Sequence, residues 1–323
     1  MGLPKSFIAR LESLYWDVAP TILSVFASER VGSFRVNHIF YKGWGISEEI
    51  AHEFREKGIP VLPFDEAKGI YTYDKQYEYA IKWTQAFYTG KIYLQGISSM
   101  LPVFLLDPQP WERVLDVCAA PGSKTTLMSD LMHNSGSIRA IEQNSIRMEK
   151  LRFNARLQGA ENIECIKMDA LKFLSTDDSL YDRILLDAPC SAEGRISLAN
   201  EKSYGFWSLE NITRKSELQY QLLSLSIAHL RPWWTCVYST CTLAPEENER
   251  VISRILDENR NLSLVDIAAN ESFDSRIDWI HGVRSFAWSR YHPDIRRTVR
   301  IIPNMYAEWF FIAQIQKSLT WSV

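Results

Sequence analysis

Nowhere does the chain hold the run of about 18 apolar residues that spans a bilayer, although 46% of its 323 residues are hydrophobic. Its opening segment, MGLPKSFIARLESLYWD, lacks the apolar centre and cleavage site of a secretory signal. A cytoplasmic protein with no membrane partner is expected. Cysteine is scarce: five residues, an odd number scattered over a long chain, make no disulfide framework and suit a reducing compartment. No C-x₂-C or paired-histidine spacing occurs, so no metal site is expected. An excess of one charge is lacking as well. A net charge of −3 argues against a protein that coats nucleic acid by bulk electrostatics, so any such site must be a local patch. Internal repeats and low-complexity linkers are absent, and the composition is that of an ordinary globular protein.

What is present falls into two parts, a small module over residues 1–95 and a larger domain over 96–323. The first reads as a helix from Ser6 to about Phe26, a strand over SFRVNHIF, a helix over EEIAHEFREKG between Ser47 and Gly58, a strand over GIPVLPF and a tyrosine-rich segment. From Trp111 onward, apolar strand-like runs alternate with helical stretches: RVLDVCAA, a helix from Ser123, SIRAIE, IRMEKLRFNARLQG, IECIKMDA, YDRILLDAP, LQYQLLSLSIAHL and CVYSTCT. Repeated β-α-β units imply an α/β fold with a mostly parallel sheet, helices on both faces and a ligand site beyond the carboxyl ends of the strands.

The run VLDV leads into Cys118, Ala119, Ala120, Pro121, Gly122, Ser123 and Lys124, a turn of small residues where a helix is about to start. Such a turn lets backbone approach a ligand and aims helix N–H groups at it. Glu142, at the end of the next strand, suits the two hydroxyls of a ribose. Asp116, Asp169 and Asp187 end further strands on the same rim, and Ile141, Ile146 and Met168 could flank an adenine or simply be core. A P-loop is excluded because Ser123 separates Gly122 from Lys124, and the G-x-G-x-x-G pattern is missing.

Cys190, after LLDAP, and Cys241, in VYSTCTLAPEENE, fall at that rim too, whereas Cys118, Cys165 and Cys236 read as inert small hydrophobes. A thiol beside a methyl donor has a specific use: added to carbon 6 of a pyrimidine, it makes carbon 5 nucleophilic enough to take a methyl group. A carboxyl group such as Asp187 could assist at N3. The stretch RSFAWSRYHPDIRRTVR interleaves Arg284, Arg290, Arg296, Arg297 and Arg300 with Trp288, Tyr291 and His292, which suits phosphates and unstacked bases as well as a solvated loop.

These segments resemble the RNA cytosine-5 methyltransferases of the Nol1/Nop2/Sun group, closest to its bacterial ribosomal-RNA branch. FRVN, YLQGISSMLPV, VLDVCAAPGSKTT, LLDAPCSAEG, YSTCTLAPEENE and RIIPNMYAEWFFIA carry the resemblance, in the family's order. It implies a Rossmann-like class I S-adenosylmethionine-dependent methyltransferase domain behind a small N-terminal RNA-recognition module. S-Adenosylmethionine would be held by Cys118 to Lys124, Glu142, Asp169 and Asp187. Cys241 would be the nucleophile and Cys190 would help release product. The RNA partner would be rRNA, or alternatively tRNA, met by a monomer through Arg35, Arg284, Arg290, Arg296 and Arg297. A non-catalytic assembly factor would not need both thiols, and a small-molecule enzyme would not need the N-terminal module. One departure stands out: where the family commonly reads Asp-Gly-Phe-Phe, this chain has Ala307, Glu308, Trp309 and Phe310.

Overall fold

A computed structural model describes residues 2–41, 43, 45–269 and 274–319. The larger sheet runs, in spatial order, Trp279–His281, Val299–Ile301, Phe310–Lys317, Leu230–Thr240, Tyr181–Asp187, Arg113–Asp116, Ser137–Glu142 and Ile163–Lys167, with Leu262–Leu264 also paired to Phe310–Lys317. The last five of that order are mutually parallel, while Phe310–Lys317 and Val299–Ile301 are antiparallel additions. From Arg113–Asp116 the chain first builds outward on one side, through Ser137–Glu142 to Ile163–Lys167. It then returns to place Tyr181–Asp187 on the other side. That reversal opens a crevice at the carboxyl ends of these strands, where open α/β sheets bind ligands.

Strand residues alternate between two cores, as a period of two requires. Ile184, Leu186 and Tyr238 pack with Leu222, Leu223, Ile252 and Ile255 of the helices Leu209–Ala228 and Glu249–Glu258. Leu185 and Val237 face the opposite way, onto Met100, Val103, Leu127 and Met128 of the helices Ile97–Leu106 and Ser123–Leu131. Burial on both faces is why the strands read as continuous apolar runs. Among the described residues no helix is long and apolar enough to cross a membrane.

The N-terminal region differs in detail from its sequence reading. Instead of one helix there are two, Lys5–Leu14 and Ala19–Ala27, because Pro20 sits in the first turn of the second and cannot continue the first. Their apolar faces join Ile196, Tyr204, Leu243 and Trp309, so residues of the first 27 pack on the large domain. The small module's own sheet, ordered Leu62–Asp65, Ile70–Tyr73, Gly32–Val36 and Ile92–Leu94, has a separate core around Phe34, Phe54, Tyr71 and Ile81. The strand expected over SFRVNHIF stops at Val36, where the Asn37 amide turns aside to donate to the Gly90 and Gln158 carbonyls at 3.0 and 2.8 Å. The tyrosine-rich segment contains the strand Ile70–Tyr73 and the short helices Glu78–Lys82 and Gln85–Tyr88.

Candidate functional site

The loop after Arg113–Asp116 is tied down from below. Asp116 is buried and accepts from the Thr125 hydroxyl at 2.7 Å; burial pushes its carboxyl up to about 7. Cys118, Ala119, Ala120, Pro121, Ser123 and Lys124 line a cavity of about 330 Å³ in the crevice. Gly122 does not line it. Its φ of +104° and the 2.8 Å that would separate a Cβ from Leu151 Cδ1 show what demands glycine there: left-handed backbone and the helix Ser145–Leu157 behind it.

Around the cavity the expected residues separate. Glu142 is buried and accepts from the Asn144 N–H at 2.7 Å, with Arg147 3.2 Å away. Ile141 and Met168 line the wall, whereas Ile146 points to solvent and takes no part. Asp169 also lines the cavity but does not end a strand, since Ile163–Lys167 stops two residues earlier; it caps the helix Ala170–Thr176 by accepting from the Lys172 N–H at 3.0 Å. Asp187 has both oxygens engaged, one by buried Lys124 Nζ at 2.6 Å and the other by the Ser239 hydroxyl at 2.9 Å. Lys124 also donates to Ser99 Oγ at 2.9 Å.

Sheet register explains why the two thiols meet. Asp187 pairs with Ser239 across parallel strands, so the residues just beyond each strand end are neighbours. Cys190 Sγ and Cys241 Sγ lie 3.5 Å apart and both line the cavity. Their titrations diverge. The hydrogen bond between them favours the charge on Cys241, whose thiol is held below its ordinary value by that bond and by the Arg195 charge, against its own burial. The same bond, together with burial, pushes Cys190 well above.

Sequence reasoning missed the groups that hold this arrangement. Ser191 N–H donates to Glu247 at 3.0 Å, Ser191 Oγ meets Thr242 Oγ1 at 2.7 Å, and Gln219 donates to Glu247 at 2.8 Å. Burial raises the Glu247 carboxyl to about 7. Buried Glu193 accepts from Trp207 Nε1 at 2.6 Å, Thr242 Oγ1 at 2.9 Å and the Leu243 N–H at 3.1 Å. The acidic run Glu246–Glu249 resembles a solvated helix start, yet Glu246, Glu247 and Glu249 are buried. Arg195, at the cavity wall beside the thiols, carried no signal beyond its place after the D-A-P-C segment.

The arginines sort by burial. Arg284, Arg290 and Arg296 are exposed and, with Tyr291 and His292, line a second hollow of about 420 Å³; Trp288 is fully exposed at the tip of the adjoining hairpin Ser285–Arg290. Arg35 must be removed from the RNA-facing set. It is buried under the Tyr93 ring, donates to Gln95 Oε1 at 3.0 Å and Thr126 Oγ1 at 2.8 Å, and so joins the small sheet to the helix Ser123–Leu131. Arg300 is buried against Glu249, and half-buried Arg297 donates to the Leu264 carbonyl at 2.9 Å, so neither is free as the exposed three are.

Comparison with known proteins agrees with this geometry. Over 98% of this chain the fold superposes on 96% of a crystal structure of a methyltransferase homologue from Pyrococcus horikoshii, with a TM-score of 0.80 and 30% identity. A family model described as 16S rRNA methyltransferase RsmB/F matches residues 103–316. The tRNA (cytosine(49)-C(5))-methyltransferase of Pyrococcus abyssi is 35% identical over 260 residues, 79% of each chain. Ribosomal RNA small subunit methyltransferase F of Aeromonas hydrophila is 35% identical over 234 residues, 71% of this chain and 46% of that protein. The chain thus spans most of the archaeal relative and under half of the bacterial one. The architecture is that of an S-adenosylmethionine-dependent methyltransferase. The chain belongs to the RsmB/F, or NOL1/NOP2/Sun, family of RNA cytosine-C5 methyltransferases, whose members divide between tRNA and rRNA substrates.

Proposed function

We propose that this protein methylates carbon 5 of a cytosine in ribosomal RNA, with Cys241 as attacking thiol and Cys190 as the group that completes release. The observation that carries the reading is the pair of thiols 3.5 Å apart on the wall of the cofactor cavity, with negative charge favoured on Cys241. The residues suit S-adenosylmethionine: Glu142 offers a buried acceptor for ribose hydroxyls, Ile141 and Met168 an apolar slot, and Asp169 a carboxylate at the cavity wall for a cationic ligand. That cofactor supplies an electrophilic methyl group.

Cys241 sulfur bonds to carbon 6, and the electrons of the 5,6 double bond move into the ring, where charge develops toward N3 and O2. Lys124, which lines the cavity and is held by Asp187, can donate to that charge, so Asp187 would act on N3 through the lysine rather than as a free acid. Carbon 5 takes the methyl group. A base then removes the carbon 5 proton, the double bond re-forms, and the Cys241 thiolate leaves. Cys190 suits the base once it has released its own proton to solvent: with Cys241 bonded to carbon, the neighbouring negative charge that held that proton in place is gone, and the Cys190 thiolate can take the carbon 5 proton.

The preference for rRNA rests on the family model, against the tRNA substrate of the archaeal relative. Incubating the protein with methyl-tritiated S-adenosylmethionine and separate pools of rRNA and tRNA decides it: label in rRNA is expected, and label confined to tRNA overturns the rRNA assignment. Glu142→Ala should weaken cofactor binding by about 1–3 kcal/mol, the cost of leaving buried hydroxyls unpaired. Calorimetry giving unchanged affinity would move the ribose elsewhere. RNA is held by charge and stacking, with the target base unstacked. Replacing Arg284, Arg290 and Arg296 with alanine should reduce the slope of log K against log salt by about 0.7 for each phosphate of single-stranded RNA that is no longer neutralised. An unaltered slope in filter binding would take this hollow out of the RNA site.

A further inference from the structure

The tail turn, Ala307–Phe310, brings the Glu308 carboxylate within 3.9 Å of Arg195. Arg195 ends the one-turn helix Glu193–Arg195, which cannot drift relative to Cys241. The Gly194 N–H donates to the Cys241 carbonyl at 2.8 Å, and a Cβ on Gly194 would lie 2.9 Å from that oxygen and 2.8 Å from Trp309 Cβ. Arg195 therefore stands at a fixed place on the cavity wall that also carries both cysteines. The other cations on that wall have close acids: Lys124 has Asp187 at 2.6 Å and Arg147 has Glu142 at 3.2 Å. Arg195 has Glu308 at 3.9 Å, beyond hydrogen-bond reach. Glu308 is held back there because Arg30 draws its other oxygen at 3.1 Å and Ser98 Oγ brackets its backbone, accepting from the N–H and donating to the carbonyl at 2.8 Å each.

We infer that Arg195 supplies the positive charge that favours the attacking thiolate of Cys241, and that Glu308 tempers that charge. Arg195 acts through Cys241 and is thus a positioning residue for negative charge at the sulfur. The electrostatics agree with the geometry. After the Cys190 hydrogen bond and the opposing effect of burial, the Arg195 charge is what lowers the Cys241 thiol, while Asp187 and Glu308 push the other way. The influence is mutual, since Cys241 is the largest cause holding Arg195 in its charged form. The tether to Arg30 spares Arg195 from full neutralisation.

The inference rests on Cys241 being the nucleophile, and its test needs neither RNA nor cofactor. The full-length protein is alkylated with iodoacetamide from pH 5 to pH 10, and the rate at the Cys241 peptide is followed by mass spectrometry, separately from Cys190. An opposite charge on the same cavity wall shifts a titration by about one unit. Arg195→Ala should therefore move the Cys241 profile up by about one pH unit and slow alkylation at pH 7 by about tenfold. Arg195→Lys should recover most of the shift, and Glu308→Gln should move the profile down. Both side chains are at the surface or half-buried, and unchanged near-UV circular dichroism will confirm folding; should Arg195→Ala not fold, the lysine and glutamine variants decide by themselves. Superimposable profiles for wild type and Arg195→Ala, or an upward shift in Glu308→Gln, would overturn the inference. A shifted profile in a protein that methylates no RNA would instead sink the function and leave the electrostatic coupling standing.

Discussion

Cys241→Ala should abolish methylation and form no covalent RNA adduct, whereas Cys190→Ala should accumulate one. The contrast follows from the order of steps. Without the Cys241 sulfur nothing adds to carbon 6, so carbon 5 never becomes a nucleophile. Without Cys190 addition and methyl transfer still proceed, but loss of the carbon 5 proton slows and Cys241 stays bonded to methylated RNA. The species appears on a denaturing gel as a slower band that requires RNA and disappears with ribonuclease. The double variant should show no band. An adduct in Cys241→Ala and none in Cys190→Ala would exchange the two roles. The 3.5 Å contact makes that exchange a real alternative, since either sulfur could be the donor. What favours Cys241 as attacker is the asymmetry around the pair: negative charge is favoured on Cys241, while burial and the shared bond hold the proton on Cys190.

The second large effect concerns stability. Arg300 and Glu249 are both fully buried and form a two-pronged ion pair, with Arg300 Nε donating to Glu249 Oε1 at 2.6 Å. Arg300 also donates to the Leu243 carbonyl at 3.0 Å and to the Tyr15 hydroxyl, which in turn donates to that same carbonyl at 2.6 Å. The rings of Tyr15, Trp309 and Phe311 surround the guanidinium at 5.4 to 5.6 Å. Arg300→Ala strands the Glu249 carboxylate in this interior and should cost about 3–5 kcal/mol. Replacing the pair together, Arg300→Met with Glu249→Leu, should cost less than Arg300→Ala alone, because no charge is left unpartnered. Urea unfolding of the three proteins measures both. A loss below about 1 kcal/mol in Arg300→Ala would mean that water reaches Glu249. Leu243 lies two residues from Cys241, so the same network braces the segment that carries Cys241.

Arg300 shows where sequence reading reaches its limit. Within an arginine-rich stretch it cannot be told from Arg296, because both are charged residues beside aromatic ones. Only the strand pairing of Val299–Ile301 against Phe310–Lys317 turns Arg300 into the interior, where it meets Glu249 from a distant part of the chain. Arg35 is the same case, hidden by contacts with Thr126 and Asp130 that no local pattern encodes. The cavity rim was far more legible. Short apolar runs alternating with helical stretches, and the helix start at Ser123, are local signals, and they suffice to place Asp116, Glu142 and Asp187 at one edge of the sheet. The closeness of Cys190 to Cys241 follows once their two strands are taken as parallel neighbours in register. Glu193, Glu247 and Arg195 could not be found this way. Each works through contacts with residues about 50 positions or more away, and a buried acid carries the same letter as a solvated one.

The most direct test of the central claim is the chemical identity of the product. Purified protein, S-adenosylmethionine carrying a trideuterated methyl group and RNA from cells lacking the gene are incubated together. The RNA is then digested to nucleosides and read by mass spectrometry. The heavy methyl group is expected on cytidine, co-eluting with 5-methylcytidine, and none is expected when Cys241→Ala replaces the wild-type protein. A heavy methyl group on another base or on ribose, or an undiminished 5-methylcytidine signal from Cys241→Ala, would contradict the assignment.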